Sequence, residues 1–563
     1  MSWDRIRRWS AGVAGAAFLI AAVTTLARLA GFGRTVAFSQ TVGDTCLGTA
    51  YVTANQLPTV IFEIVIGGAL SGMVVPVLAG AVSRAAPGAE PVESGQGSEV
   101  AECTRRAAHD HVRHTASALV TWVVIVAVPL SVALAATAAP AMTLMLGAAG
   151  GCDTAAVLDQ AVRFVWMFAP QILCYGLAAV LYGILQAHRR FLAPALAPLV
   201  SSVVVIASYV AFVPLGAEQR NDVARLPLPA ELVLGLGTTA GVLALVITAA
   251  VPAARLGLGL RPRLTFPPGV GARVRALAVA ALLPLASMQF SMLVALALAN
   301  RGGGLGAGVL YSYAWSLFTV PYGVVAIPIA TSAFTALSVR HSERDPRGYR
   351  AVLAMSARAC LLATAALATA LAAAAMPIAD VFARTNPLPL QRALLTYAPG
   401  VVAFGLVALL SRALYASHHG RAAALSQVSG WLVVMAAEVA LVAAVPADWA
   451  VAALGAGTTI GLAVGMALLF AAVVSAHGRG AFTGVGRAAL AAALGSALGY
   501  GVGASVATAV PTDGLWSNAG AAALGAVPAL LVFGAVALVI DGRALRAVLS
   551  RKPAASSPET PDS

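Results

Sequence analysis

Apolar residues along this chain fall in blocks near twenty residues long, separated by short polar breaks. A helix needs about 20 apolar residues to cross the hydrocarbon core of a bilayer. By that criterion about fourteen spans are predicted. They lie at 12–38, 47–81, 114–138, 158–186, 191–213, 231–254 and 274–299, then 305–337, 351–375, 391–417, 423–445, 449–475, 485–509 and 517–540. The ten-residue alternating segments of a membrane β-barrel do not occur in the sequence. The predicted class is therefore an all-α polytopic membrane protein. Two stretches stand out as polar and flexible, residues 86–103 and the tail 551–563, and neither reads as a folded extramembrane domain.

An internal repeat organises the spans. Residues 169–188, APQILCYGLAAVLYGILQAH, match residues 398–417, APGVVAFGLVALLSRALYAS. Ala-Pro, an aromatic (Tyr175, Phe404), Gly-Leu and a Leu-x-Ala ending recur in register. A second pairing sets Leu57-Pro58 against Val320-Pro321. Repeated halves are how many secondary transporters are built. The predicted organisation is an N-lobe over 1–254, a cytoplasmic linker over 255–270, a C-lobe over 271–475, a helix pair over 476–550 and a disordered tail over 551–563. The two six-helix lobes are pseudo-symmetric and are expected to face a central cavity.

Composition agrees with this class: 60% of the 563 residues are hydrophobic and 10% are charged, against about 25% charged in soluble proteins. The net charge of +13 is carried almost wholly by arginine, with Lys552 the only lysine. Such a balance in a soluble chain would suggest nucleic acid. Here it follows the positive-inside rule: Arg84, Arg105, Arg106 and Arg113, then Arg189 and Arg190, then Arg255, Arg261 and Arg263, recur on every second loop. Both termini are thus expected in the cytoplasm of a multi-pass plasma-membrane protein, with no nucleic-acid partner. Residues 1–10 read as a basic lead-in to a span too long for a signal-peptide core. All eight histidines fall on the inner side, and His109, His111 and His114 are read as a solvated loop. Of five cysteines, Cys46 and Cys152 share the outer side, where a disulfide is topologically allowed but not required by spacing.

The candidate chemistry lies in the first two spans. Arg28 and Arg34 sit on the first, with Gly31-Phe32-Gly33 between them. A central arginine costs roughly 2.5–3.5 kcal/mol on insertion scales, so two on one span point to a wet cavity and an anionic ligand. Gly31 and Gly33 are expected to break the helix and rotate Arg34 inward. The second span carries Asn55, Pro58, Glu63, Gly67 and Gly68; Glu63 is expected to pair with one of the arginines when no ligand is bound. Pro58, Gly67, Gly68, Gly303 and Pro321 are the candidate hinges and gates. Arg412 and Glu438, on adjacent spans, are expected to form a structural ion pair. No nucleotide, metal or nucleophile motif occurs, so neither a cofactor nor a covalent step is expected.

At this point the residues resemble the MurJ/MviN lipid II flippases of the multidrug/oligosaccharidyl-lipid/polysaccharide exporter superfamily. The matching stretches are ARLAGFGRT (27–35), ANQLPTVIFEIVIGGALSGMVVPVLA (54–79), APQILCYGLAAVLYGILQAHRRFLAPALAPLV (169–200), YAWSLFTVPYGVVAIPIATSAFTALS (313–338) and FGLVALLSRALYASHHGRAA (404–423). The resemblance implies fourteen helices, a cationic cavity and alternating access that carries an undecaprenyl-linked disaccharide-pentapeptide between leaflets for peptidoglycan synthesis. It places the two family arginines of the first helix on Arg28 and Arg34; Asn55, Glu63 and Ser316 are the further candidate substrate contacts. It implies membrane lipids as partners, with cell-wall synthesis or division proteins beside them. The family often has arginine where this chain has Phe62 and Ser316, and an acid where it has Thr49; actinobacterial-type sequences look similar there. Three alternatives stay open: a flippase for another polyprenyl-pyrophosphate glycan, a cation-coupled drug antiporter of the same superfamily, and a non-transporting scaffold. The antiporter wants a carboxylate in the first span, and residues 12–40 contain none.

Overall fold

In lipid, every backbone N–H and C=O must be satisfied within the chain, which leaves long helices as the only available form for these apolar runs. The computed structural model describes residues 13–67, 98–147, 151–266, 270–383, 386–511 and 514–549, and Gly68 lies outside them. The described residues are almost entirely helical. Twelve of the described helices are long and apolar enough to cross a membrane. The chain divides into two compact units, Met1–Val309 and Leu310–Ser563.

Unit 1 begins with α1 (Val13–Thr41) and α2 (Cys46–Ile61), the latter running into a π-helical turn at Phe62–Gly67. Then come α3 (Ser98–Ala136), α4 (Ala138–Leu146), α5 (Thr154–Phe168), α6 (Gln171–Ala187), α7 (Leu192–Gly216), α8 (Leu228–Ala254) and α9 (Val270–Gly302). Helix α7 packs against α8 and α1, α2 against α5, and α6 against α3 and α8. Helix α9, the seventh apolar run, packs on α4, α2 and the π turn of this unit.

Two fastenings hold unit 1; the sequence allows the first and carries no sign of the second. Cys46 and Cys152 are joined by a disulfide. Beside it Leu47 N–H donates to Arg220 O at 3.0 Å, and Arg220 Nη1 donates to Thr41 O at 2.7 Å. Past the far end of α8, the connecting segment lies along α3. Arg261 N–H donates to Ser117 Oγ (3.2 Å), Arg263 N–H to Thr121 Oγ1 (3.0 Å) and Trp122 Nε1 to Leu264 O (3.0 Å), while His114 Nε2 meets Thr265 O at 2.8 Å. His109, His111 and His114 therefore stand on a helix, not in a loop, and His114 holds the connecting segment.

Unit 2 holds most of α10 (Ala307–Pro321), a second π turn at Tyr322–Ala326, α11 (Ile327–Ser342), α12 (Pro346–Ala373) and α13 (Ala375–Phe382). They are followed by α14 (Leu388–Ala416), α15 (Gly420–Ala444), α16 (Ala450–His477), α17 (Val485–Thr508) and α18 (Leu515–Leu549). Helix α14 is the central post: it is buried along most of its length and packs on α16, α12, α11 and α15. Without a hydrophobic drive between helices in lipid, small residues allow the close approach that dispersion needs. A methyl built on Gly461 of α16 would stand 2.4 Å from the Val434 nitrogen of α15, so glycine is required there. Helix α18 breaks at Asp541, whose backbone is non-helical and whose carboxylate takes both the Nε and the Nη2 of Arg358 on α12.

The repeat is present in the backbone. Arg189 and His418, 229 residues apart, both take left-handed conformations just past their helices (φ 57 and 62). The following N–H reaches back five residues in each case, Arg190 to Leu185 O and His419 to Leu414 O, both at 2.8 Å. That is the Schellman ending, which satisfies the last carbonyls of a helix.

Candidate functional site

Helix α1 buries Val23, Ala27 and Phe38 and leaves Leu26, Arg28, Leu29, Phe32 and Arg34 exposed; six residues apart on an unbroken helix, the two arginines do not share one face. The expected break between them does not occur: α1 runs unbroken from Val13 to Thr41, and added methyls at Gly31 or Gly33 would meet nothing within 4 Å. The apolar surroundings hold the ladder together, because a broken turn would leave backbone groups without water. The glycines therefore do not bend the helix.

Arg34 lies within electrostatic reach of Tyr51, Tyr175 and Tyr209. Tyr51 is the hub of an aromatic cluster with Phe38, Phe164, Phe168 and Tyr209. Its hydroxyl is 2.9 Å from the Tyr209 hydroxyl and 2.6 Å from Thr238 Oγ1. The arginine therefore stands beside buried hydroxyl-bearing rings whose own hydrogen bonds are made within the unit.

Both units have a π turn close after a proline. Pro58 sits inside α2, four residues before Phe62; Pro321 ends α10 and Tyr322 follows it. Proline has no N–H and its ring pushes away the carbonyl four residues back, which opens the ladder locally. Single π turns recur at functional sites. In unit 1 the π turn places Phe62 on Tyr175 of α6, stacked with centroids 5.0 Å apart. In unit 2 it places Tyr322 on Phe404 of α14, stacked at 3.8 Å. Tyr175 and Phe404 are the paired aromatics of the repeat.

Glu63 is half-buried in the first π turn and, like Arg34, acts on Tyr175; among the described residues no ion pair joins Glu63 to Arg28 or Arg34. Asn55 lies one turn before Thr59, whose hydroxyl donates to Asn55 O at 3.1 Å, and the Asn55 Oδ1 atom is buried without a hydrogen-bond partner. Unit 1 thus brings Arg34 and Glu63 towards Tyr175, with Asn55 about two helical turns before Glu63. Ser316 is exposed on α10, in unit 2. Gly303 closes α9: its N–H donates to Ala299 O at 2.9 Å, and an added methyl would come within 2.3 Å of Ala307 Cβ.

The expected ion pair of Arg412 and Glu438 does not form. Glu438 is 1% exposed and faces α16, where Thr458 Oγ1 donates to its Oε1 at 2.9 Å. Arg412 faces the π turn instead: its Nη1 donates to Ala408 O at 3.0 Å, and the Tyr322 hydroxyl is in hydrogen-bond reach. The two helices are neighbours, but these side chains point to different partners. Sequence reasoning also missed Arg163 of α5, which bridges Asp159 (2.9 Å) and the buried Glu231 of α8 (3.1 Å). The spacing Asp159–Arg163, one helical turn, was the available signal. Four histidines of unit 2, His341, His418, His419 and His477, converge at one end of it, with Ser417 Oγ between His419 Nδ1 (3.1 Å) and His477 Nε2 (3.0 Å). Among the described residues no cluster is able to hold a metal ion.

The family profile described as "Lipid II flippase MurJ" matches residues 38–512. The match starts four residues after Arg34, so the assignment of that arginine rests on geometry and local sequence. A lipid II flippase MurJ of Burkholderia cenocepacia is 25% identical over 410 residues, covering 70% of this chain and 72% of that protein. A probable lipid II flippase MurJ of Rhizobium tropici is 30% identical over 195 residues, 34% of each chain. Among solved structures, a lipid II flippase MurJ in an inward closed conformation superposes with TM-score 0.68 at 16% identity, over 95% of this chain and 100% of that one. An inward-facing multidrug resistance MATE transporter of the MOP superfamily gives TM-score 0.61 at 15% identity, over 82% and 96%. At those identities the likeness is one of fold. With the profile spanning most of its length, the chain belongs to the lipid II flippase MurJ family, a family of multi-pass membrane transporters.

Proposed function

We propose that this protein moves lipid II, the undecaprenyl-pyrophosphate-linked peptidoglycan precursor, from the inner to the outer leaflet by alternating access. The observation that carries the reading is the family match over residues 38–512. It is supported by two exposed arginines on one apolar helix. Guanidinium is planar, always charged and able to bind two phosphate oxygens at once, which suits a pyrophosphate. In this reading Arg28 and Arg34 take the pyrophosphate, while Asn55 and Ser316 offer neutral donors to the sugars and Glu63 receives an N–H or O–H of the head group. Pro58, Pro321, Gly67, Gly68 and Gly303 provide the flexing points as two bundles exchange access.

The polyprenyl chain stays in the bilayer. Unit 2 has an apolar cavity of about 620 Å³ lined by Leu361, Ala365, Ala398, Pro399, Ala492 and Tyr500, a surface suited to isoprene units. Disulfides persist in oxidising compartments, so the Cys46–Cys152 end of unit 1 is assigned to the outside, in agreement with arginine-rich loops and both termini inside. Membrane potential supplies about 2.3 kcal/mol per charge per 100 mV, enough to bias such a cycle. Cell-wall synthesis or division proteins are the expected neighbours.

Complementation tests the reading. In cells depleted of their own lipid II flippase, the wild-type chain is expected to sustain growth and wall synthesis, and Arg28→Ala to fail at equal membrane abundance. Normal delivery of lipid II to the outer leaflet by Arg28→Ala would remove the anion-clamp role.

A further inference from the structure

Some arginines inside the apolar runs have an acid. Arg163 has Asp159 and Glu231, and Arg358 has Asp541. Arg28, Arg34, Arg412 and Arg487 have no carboxylate partner among the described residues of those runs; Arg487 stands in the first turn of α17, where its Nη2 donates to Ile540 O at 3.1 Å. Arg28 and Arg34 already have a ligand in the reading above. Of the other two, Arg412 is the one that turns back into its span.

Its setting is like that of Arg34, although the repeat itself sets Arg412 against Gly183. Each unit stacks the ring of a π turn on the aromatic of the repeat helix, Phe62 on Tyr175 and Tyr322 on Phe404. Each has one arginine at that pair: Arg34 acts on Tyr175, and Arg412 on Tyr322. Arg412 is only four residues from the end of α14, a distance from which a long cationic side chain can snorkel to water. It turns the other way. The guanidinium binds Ala408 O, one turn back into the span, and approaches the Tyr322 hydroxyl. A guanidinium has five N–H donors, and these contacts occupy a minority of them. A half-buried cation with spare donors and no acid is costly unless an anion completes it.

We propose that Arg412 is a second anion-contacting residue for the translocated glycolipid, the counterpart in unit 2 of Arg34, with Tyr322 as its positioning residue. The inference rests on the flippase reading. The ligand chemistry is an anionic oxygen, which lipid II offers as pyrophosphate and as stem-peptide carboxylate.

The test uses purified full-length protein in nanodiscs and measures Kd for fluorescent lipid II and for the same lipid with its stem-peptide carboxylates amidated. Removing a charge-assisted hydrogen bond predicts about a tenfold rise in Kd for Arg412→Ala. Arg412→Lys is expected to recover part of it, and Tyr322→Phe to raise Kd about threefold while keeping its stack. An equal penalty on both lipids assigns the contact to pyrophosphate; a penalty that disappears on amidation assigns it to the carboxylate. Wild-type affinity in folded Arg412→Ala overturns the proposal. So does equal weakening by Arg412→Ala and Arg412→Lys in step with a lower melting temperature, which marks a packing role. Wild-type protein that binds neither lipid removes the flippase reading itself, a result distinct from both.

Discussion

The two copies of the repeat share a pattern and differ in how firmly they hold it. In unit 1 the Ala169-Pro170 step ends α5 and begins α6, so the copy is two helices with a turn between them. In unit 2 the matching Ala398-Pro399 lies within α14, which continues from Leu388 to Ala416. The arginines differ in the same sense: Arg34 is exposed beside hydroxyl-bearing rings, and Arg412 is half-buried beside a tight aromatic stack. Proline breaks a helix unless neighbours reimpose it. Helix α14 has neighbours on most of its surface, so packing prevails there. The comparison teaches that one sequence pattern yields an open site where burial is light and a braced one where it is heavy.

The comparison can be broken from either side. The largest stability effect is expected in the braced unit. Arg358→Ala strands the nearly buried Asp541 carboxylate at the break in α18, and removing one partner of a buried pair costs about 3–5 kcal/mol. Because Arg358 keeps some exposure, the lower end of that range applies, read as an earlier thermal transition in detergent. Next is the disulfide of unit 1. Replacing Cys46 and Cys152 by serine releases a constraint between residues 106 apart, worth about 2–4 kcal/mol. Stability is expected to fall while Kd for lipid II stays within about twofold, since no residue of the candidate site touches that bond. A parallel loss of binding would show that the fastening shapes the site. The smallest effect sharpens the role of α1. Gly31→Ala has open space for its methyl and an unbroken helix around it, so it is expected to add up to about 1 kcal/mol of stability and keep transport near wild type. Abolished transport with intact folding would restore the hinge role that the helix geometry argues against.

The fold was largely legible, because span length and basic loops are set by the bilayer itself. The run read as 391–417 is helix Leu388–Ala416, and the one read as 231–254 is Leu228–Ala254. Side-chain direction was less legible. Arg412 and Glu438 are correctly placed on adjacent helices, yet pairing depends on rotation about each axis, and the apolar surroundings of both leave no amphipathic signal to set it. Pro58 and Pro321 marked where the ladder is disturbed, but a proline does not announce that the response is a π turn, nor that the next aromatic will be carried onto Tyr175 or Phe404. Cost alone marked Arg28 and Arg34 as functional residues, but the expected pairing of one of them with Glu63 is not present among the described residues.

The central claim is that cations on α1 carry an anionic lipid head group across. Its most direct measurement is transport of fluorescent lipid II by the purified protein in liposomes, with and without an imposed potential, for wild type and for Arg28→Ala/Arg34→Ala. The account predicts transport by wild type and a loss of about a hundredfold or more in the double variant, as expected when two charge-assisted contacts are removed. Equal transport by the two proteins, at equal incorporation and folding, would contradict it.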